Sequence, residues 1–251
     1  MKRLSPRWLV GTALATLFLA TLVLSAPAYL VGYVLDERQI RLGGFSGTIW
    51  EGRASSAAIA VDDGWVQLGQ LDWSLSQLYL LMLSPTADIN AAWGQQRLRG
   101  NIQISPTGKL RLRGLDTTFS AALVKRLLPV SLRGRISLRA RELVLEDGWP
   151  SSGAGEIVWQ QAFWLGSRGA QPLGDYVLKF SIPGPRRAIG QLRTLSGDVR
   201  VEGEFALNGR EYSLDTRIRN RGKMDQELAN ALALMAIPTA DGYKLKFTAE
   251  I

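Results

Sequence analysis

The chain has 251 residues, of which 46% are hydrophobic and 21% are charged, a composition typical of folded proteins and not of disordered ones. It contains neither Cys nor His, which excludes disulfides, thiolate metal sites and every catalytic triad built on histidine. The net charge of +8 is not gathered into a basic recognition helix, so we predict no nucleic-acid partner and a mildly basic domain beside an anionic membrane.

The N-terminal region combines a cationic start with a long uncharged stretch. No formal charge occurs from Trp8 to Leu35, and roughly 20 apolar residues are enough to cross a bilayer. Cationic flanks remain in the cytoplasm, so the bulk of the chain is expected on the other side. We therefore predict a short cytoplasmic segment at 1–8, a transmembrane anchor at 9–35 and a periplasmic β domain at 36–251, in contact with inner-membrane lipid.

A cleaved signal peptide is the alternative interpretation of the same stretch. Ala26-Pro27-Ala28 has the small-x-small form of a cleavage site, which would permit cleavage after Ala28. Two features favour a retained anchor: Pro27 is unfavourable within such a site, and the apolar stretch continues through Tyr29 to Leu35. In either case the remaining chain leaves the cytoplasm.

Beyond residue 40 the dominant hydrophobic period is two, which is typical of half-buried antiparallel strands. Apolar and polar residues alternate in five segments, at 98–104, 110–113, 176–182, 195–207 and 243–251. Asn208-Gly209 lies between two alternating segments and predicts a hairpin, and Pro106-Thr107-Gly108 predicts another turn. The sequence therefore predicts an all-β fold, mainly an antiparallel meander forming a long curved sheet.

Three short segments depart from this period and carry apolar residues at helical spacing. They lie at 74–83, ended by Pro85, at 117–129, and at 224–235, with Pro238 just beyond. Apolar stripes of this kind usually face a core, since an exposed stripe promotes aggregation. We predict a few short amphipathic helices packed on the sheet.

Several motifs in a fixed order point to a known family. Gly44-Phe45-Ser46-Gly47-Thr48-Ile49-Trp50-Glu51-Gly52-Arg53-Ala54 is followed by Leu71-Asp72-Trp73-Ser74-Leu75, then by Gly155-Glu156-Ile157-Val158-Trp159 and Leu173-Gly174-Asp175-Tyr176. Behind one N-terminal anchor, this ordered set resembles protein N of the type II secretion system. The resemblance implies an inner-membrane component of a Gram-negative export apparatus, with other secretion-system components as partners. It supplies no catalytic or binding residue.

Two groups of side chains are candidate partner contacts. The first consists of aromatic residues in irregular sequence, Trp149, Phe163 and Trp164. The second is the densest basic cluster of the chain, which could meet lipid phosphates or an acidic partner and includes Arg217, Arg219 and Arg221. No catalytic residue, cofactor site or metal site is predicted.

Two functions from different classes follow from these observations. The first is a non-enzymatic scaffold or assembly factor of type II secretion, which would contact its partners through sheet edges or loops. The second is a lipid-binding or lipid-transfer protein similar to the AsmA-like envelope proteins, in which the sheet would cradle acyl chains. An open, continuous apolar face would favour the lipid function, whereas a face covered by helices would favour the scaffold.

Overall fold

A computed structural model describes residues 6–36, 38–61, 64–77, 79, 83–122, 132–167, 169–221 and 226–250. Backbone contacts divide the chain into two compact units, Met1–Trp93 and Gly94–Ile251. The described residues of both units are mainly antiparallel strands. This confirms the predicted all-β fold, while the predicted boundaries at residues 8 and 35 stay a prediction.

In the described part of the first unit there are two continuous helices and four strands, besides the helical residues Gln77 and Tyr79. The helices are α1 (Pro6–Leu24) and α2 (Leu30–Val34), and the strands are β1 (Ile40–Gly47), β2 (Glu51–Val61), β3 (Gly64–Leu75) and β4 (Thr86–Trp93). The strands pair antiparallel in chain order, each with its sequence neighbour. The uncharged N-terminal stretch is thus divided between two helices. Within the described ranges, no helix is both long and apolar enough to cross a membrane.

The second unit contains the other ten strands of the described chain and one described helix. The strands are β5 (Gln96–Ile104), β6 (Leu110–Ser120), β7 (Leu132–Glu146), β8 (Trp149–Gly166), β9 (Gly169–Gly184), β10 (Arg187–Ser196), β11 (Val199–Asn208), β12 (Glu211–Asn220), β13 (Ile237–Thr239) and β14 (Gly242–Glu250). They pair antiparallel in chain order up to β12, which is followed by β14 and then β13. Helix α3 (Gln226–Met235) precedes β13.

The strand register gives the second unit one apolar and one polar face. Ile157 lies opposite Leu138 on β7 and Leu178 on β9, and this side-chain set repeats from strand to strand. The neighbouring residue Glu156 lies opposite Lys179 on the other face. Because the side-chain period of a strand is two, the alternation in the sequence becomes these two faces. A buried cluster of Ala162, Leu173, Tyr176 and Leu228 joins α3 to the apolar face.

The predicted turns are confirmed. A two-residue loop, Gly209–Arg210, joins β11 to β12 and follows the closing pair of Asn208 with Glu211. The predicted turn at Pro106-Thr107-Gly108 lies between β5 and β6. These turns hold neighbouring strands in the register that separates the two faces.

The predicted helices need two corrections. Strand β3 continues to Leu75, so the first predicted helix starts too early; Gln77 and Tyr79 are helical, and 78 and 80–82 lie outside the described residues. Phe119 belongs to β6, where it pairs with Ile136 of β7, and this cross-strand pairing overrides its helical spacing. Ala121 and Ala122 form a short 3₁₀ turn, and 123–129 lie outside the described residues. The third helix is confirmed at Gln226–Met235.

Candidate functional site

In the first unit, the turn between β1 and β2 holds the end of α1. Trp50 donates its indole N–H to the carbonyl of Val23 at 2.9 Å, and the Ile49 amide donates to Ala26 at 2.9 Å. The Ala28 amide donates to Gly47 at 3.1 Å. The last carbonyls of a helix lack intrahelical partners, so the Trp50 contact satisfies one of them. The motif turn therefore connects the N-terminal helix directly to the sheet, and we call this contact the junction.

A buried tryptophan on β3 contacts the turn of the junction. Trp73 on β3 is only 8% exposed and donates its indole N–H to the Ile49 carbonyl at 3.0 Å. Its ring meets Phe45 edge-on, with centroids 6.4 Å apart. A Cβ atom at Gly52 would overlap the Trp73 ring, which explains a glycine at this position. The tryptophans of the first two motifs thus bond the same turn and its helix.

In the second unit, Asp175 ties two neighbouring strands to its own. One carboxylate oxygen accepts the Gln161 amide at 2.7 Å, and the other accepts the Ser196 hydroxyl at 2.6 Å. The Ser196 hydroxyl, helped by the Gln161 amide, lowers the pKa of the Asp175 carboxyl below its usual range. Gln161 lies at a bulge of β8 with φ at 49°, a backbone position that costs free energy. The carboxylate therefore supports an irregularity of the sheet.

The adjacent Tyr176 anchors the buried cluster. Its hydroxyl lies 3.0 Å from the Leu173 carbonyl and 2.9 Å from the Val199 carbonyl, and its side chain belongs to the same buried cluster as Leu228 of α3. Burial, with a smaller contribution from the Asp175 charge, raises the pKa of Tyr176 to about 12. The fourth motif thus contributes Leu173 and Tyr176 to the cluster that includes Leu228 of α3.

An exposed cleft lies where three hairpins of the second unit end. Trp149, Arg186, Gly209 and Arg210 line it, with a volume of about 290 Å³, and we call it the hairpin-end cleft. Trp149 is 47% exposed, and the Arg186 guanidinium lies 6.0 Å from its ring centroid. The Gly209 amide donates to the Arg186 carbonyl at 2.8 Å, which ties two of the turns together. An aromatic face beside guanidinium groups is suited to an anionic or aromatic contact.

Arg186 occupies an unusual backbone position in this cleft. It follows Pro185 in a two-residue loop with φ at 53°, where glycine is normally preferred. A non-glycine residue there costs about 1 kcal/mol. In this conformation the Arg186 guanidinium lies beside the Trp149 ring.

The other predicted contact residues lie elsewhere. Phe163 and Trp164 are half-buried, and Trp164 packs against the Tyr176 cluster. Arg217 and Arg219 are exposed on the polar face of β12 and Arg221 is exposed just beyond it, forming what we call the arginine row. Glu211 is the first residue of β12, next to the hairpin-end cleft. Arg217 lies six residues further along the strand, a distance of about 20 Å. The predicted contacts therefore do not form one patch, and their role stays a prediction.

Sequence reasoning missed the two arginines of the cleft as partners of Trp149. Arg186 and Arg210 each follow a turn residue, Pro185 and Gly209, so a pattern analysis interprets them as solvated loop positions. The order of hairpins along the meander was the available signal, because alternate turns share one end of the sheet. Within the described ranges, no group of three acidic side chains is placed to hold a metal ion.

Comparison with known proteins identifies the family. A sequence model described as type II secretion system (T2SS), protein N matches residues 38–246. The chain is 24% identical to the type II secretion system protein N of Aeromonas hydrophila, covering 97% of this chain and 98% of that protein. It is 27% identical to the protein of the same name from Klebsiella pneumoniae, covering 81% and 82%. No solved structure matches. The chain therefore belongs to the type II secretion system protein N family.

Proposed function

We propose that this protein is a non-enzymatic, single-pass inner-membrane component of the type II secretion system. In this role it contributes to the export of folded proteins from the periplasm across the outer membrane, as a scaffold or assembly factor. Residues 1–8 lie in the cytoplasm, 9–35 anchor the chain, and 36–251 lie in the periplasm. Its partners are other secretion-system components and inner-membrane lipid.

The junction is the observation that carries this proposal. Helix α1 exposes apolar side chains on all sides, including Leu14 at 62% and Phe18 at 68%, and an apolar surface of this kind favours lipid over water. The end of the same helix is bonded to the first family motif through Trp50 and Ile49. These bonds support the proposal because they connect the strands of the first unit directly to the end of α1, the proposed anchor.

The non-enzymatic role is supported by what the motif side chains do. Trp73 is buried and bonded to the backbone, Asp175 accepts hydrogen bonds from Gln161 and Ser196, and the single Tyr176 hydroxyl proton is shared between two backbone carbonyls. A carboxylate with a lowered pKa is also poorly suited to act as a general base near neutral pH. For Trp73, Asp175 and Tyr176 these contacts provide a structural role that requires no chemistry.

Topology and export test the proposal separately. Protease added to spheroplasts should degrade the chain from the periplasmic side, and the N-terminal segment should become accessible only after lysis. Deletion of the gene should reduce secretion of a type II substrate, and the full chain should restore it. Protection of the β strands in spheroplasts would contradict the topology, and unchanged secretion in the deletion strain would contradict the role in export.

A lipid-handling function is the second candidate, favoured by the apolar face of the second unit. On β5 to β7 this face is half-exposed, with Ile102, Leu112 and Leu143 in register across three strands. Ile104 at the strand end is 45% exposed. The buried cluster that contains Leu228 of α3 is formed with residues of β8 and β9, Ala162, Leu173 and Tyr176. A face of this type could hold acyl chains.

In-cell photo-crosslinking separates the two functions. A photoreactive residue is placed at Leu112 on the apolar face, and at Trp149, Trp164 or Arg221 among the predicted contacts. Protein adducts from secretion-system components at the latter positions support the scaffold. Phospholipid or lipopolysaccharide adducts concentrated at Leu112 support the lipid function and contradict a purely structural role.

A further inference from the structure

The outer edge of β14 is open along most of its length. On its inner side β14 pairs with β12 from Tyr243 to Glu250. On its outer side it pairs with β13 only from Gly242 to Lys244. Among the described residues, no strand covers the outer side beyond Lys244. An uncovered edge of this length is a template for strand addition.

The register shows which backbone groups point outward. A two-residue loop makes Thr239 and Gly242 a hydrogen-bonded closing pair, and bonded pairs alternate along an antiparallel ladder. Pro238 faces Tyr243 at a non-bonded position, as a residue without an N–H must. By the same alternation, Lys246 and Thr248 direct their N–H and C=O groups to the open edge.

The two faces beside this edge differ in chemistry. Lys244, opposite Arg217, and Lys246, opposite Asp215, lie on the polar face, and Lys244 is 3.6 Å from Asp215. Leu245 and Phe247 lie on the opposite face, where Phe247 is 46% exposed. An added strand with acidic and apolar residues in alternation would complement both faces.

We propose that the open edge of β14 binds an extended segment of a partner protein in which acidic and apolar residues alternate. The segment adds one strand to the sheet through the backbone groups of Lys246 and Thr248. Its acidic side chains lie beside Lys246 and its apolar side chains beside Phe247. This inference rests on the proposed scaffold function and names the surface and the partner chemistry that the scaffold uses.

Peptide binding to the purified full-length chain in detergent tests the edge. A short labelled peptide of alternating valine and glutamate serves as the probe, with an alternating valine and lysine peptide as the control, and binding is followed by fluorescence anisotropy. Thr248→Pro removes an outward donor at an edge position that tolerates proline, so we expect affinity to fall by about tenfold or more. Thr248→Ala keeps the amide and should bind within about twofold of the parent.

A charge exchange provides a test that does not depend on proline. Lys246→Glu should weaken binding of the glutamate peptide by about threefold and strengthen binding of the lysine peptide. Near-UV circular dichroism checks the fold of each variant. Absence of glutamate-peptide binding, or equal binding by the Pro and Ala variants, would overturn the proposal. Self-association abolished by Thr248→Pro would assign the edge to a second copy and overturn the proposed partner.

The same variants distinguish this inference from the proposed function in cells. If the edge is used, Thr248→Pro should reduce secretion of a type II substrate and Thr248→Ala should not. Suppose that deletion abolishes secretion but Thr248→Pro leaves it normal. This result would contradict partner binding at the β14 edge and leave the proposed scaffold function intact. Normal secretion in the deletion strain would instead contradict the proposed function itself.

Discussion

The two units each contain a motif that ties elements together, but they do so with different chemistry. In the first unit, Trp50 and Trp73 donate neutral indole N–H groups to backbone carbonyls around a buried ring. In the second unit, Asp175 accepts two bonds as a carboxylate beside the buried Tyr176 hydroxyl. The first arrangement depends mainly on packing and the second on charge. Substitutions should therefore affect the two units unequally. Acid should act on the second unit through Asp175 and on the first through Asp72, whose pKa is lowered by the hydrogen bond from Arg53.

The largest expected effect comes from removing the ring beneath the junction. Trp73→Ala should lower the free energy of unfolding by about 4 kcal/mol, because it leaves a cavity and the Ile49 carbonyl loses its donor. Urea denaturation of the full chain in detergent, followed by near-UV circular dichroism, measures this change. The matched control is Trp93→Ala on β4, where the ring is 56% exposed and the loss should stay below about 1 kcal/mol. Equal losses in the two variants would contradict the supporting role of Trp73.

The charged network should be weaker than the packed one and sensitive to acid. Asp175→Asn should cost about 2 kcal/mol at neutral pH, because it removes the negative charge that strengthens both hydrogen bonds and replaces one acceptor oxygen by an NH2 donor. The lowered pKa of the Asp175 carboxyl means that its stabilisation is present above the unfolded-state value of about 3.9 and is lost as pH falls through the folded-state value. The difference from the parent, measured by denaturation between neutral and acidic pH, should therefore shrink below about pH 4. The control Asp198→Asn should change stability by less than about 0.5 kcal/mol.

A smaller effect is expected from the bond between the motif turn and the helix. Trp50→Phe keeps an aromatic ring but removes the donor to Val23, so the junction should lose about 1 kcal/mol. Amide hydrogen exchange at Ile49 and Ala28 should then be about fivefold faster, while exchange on β12 stays unchanged. Unchanged exchange at both amides would show that the Trp50 bond does not hold α1 on the sheet.

The smallest effect on stability should come from the hairpin-end cleft. Trp149→Ala should change the free energy of unfolding by less than about 0.5 kcal/mol, because the ring is half-exposed and borders open solvent. The same variant should reduce partner adducts from a photoreactive residue at Arg210 if the cleft is a contact. A large loss of stability would instead show that Trp149 belongs to the core, as Trp73 does.

The regular part of the fold could be predicted because its signals are local. Alternation at 199–207 and the Asn208-Gly209 turn predicted β11 and its hairpin, since side-chain period and turn chemistry act over a few residues. The predicted strand was wrong at its start, because β10 ends at Ser196 and a bend at Gly197 and Asp198 precedes β11. The stripe at 224–235 predicted α3 for the same reason. The family motifs could be recognised in the sequence, although the hydrogen bonds that their side chains make could not be predicted from it. These features were determined by the sequence alone.

Contacts between distant residues were decided only by the tertiary structure. Phe119 joined β6 because its partner Ile136 lies across the sheet, which no local spacing reveals. The bond from Trp50 to Val23 and the cleft of Trp149 with Arg186 join residues far apart in the chain. Their geometry follows from register and hairpin order, which depend on the whole meander. The sequence by itself therefore determined the class of the fold, and the pairing of strands decided which side chains meet.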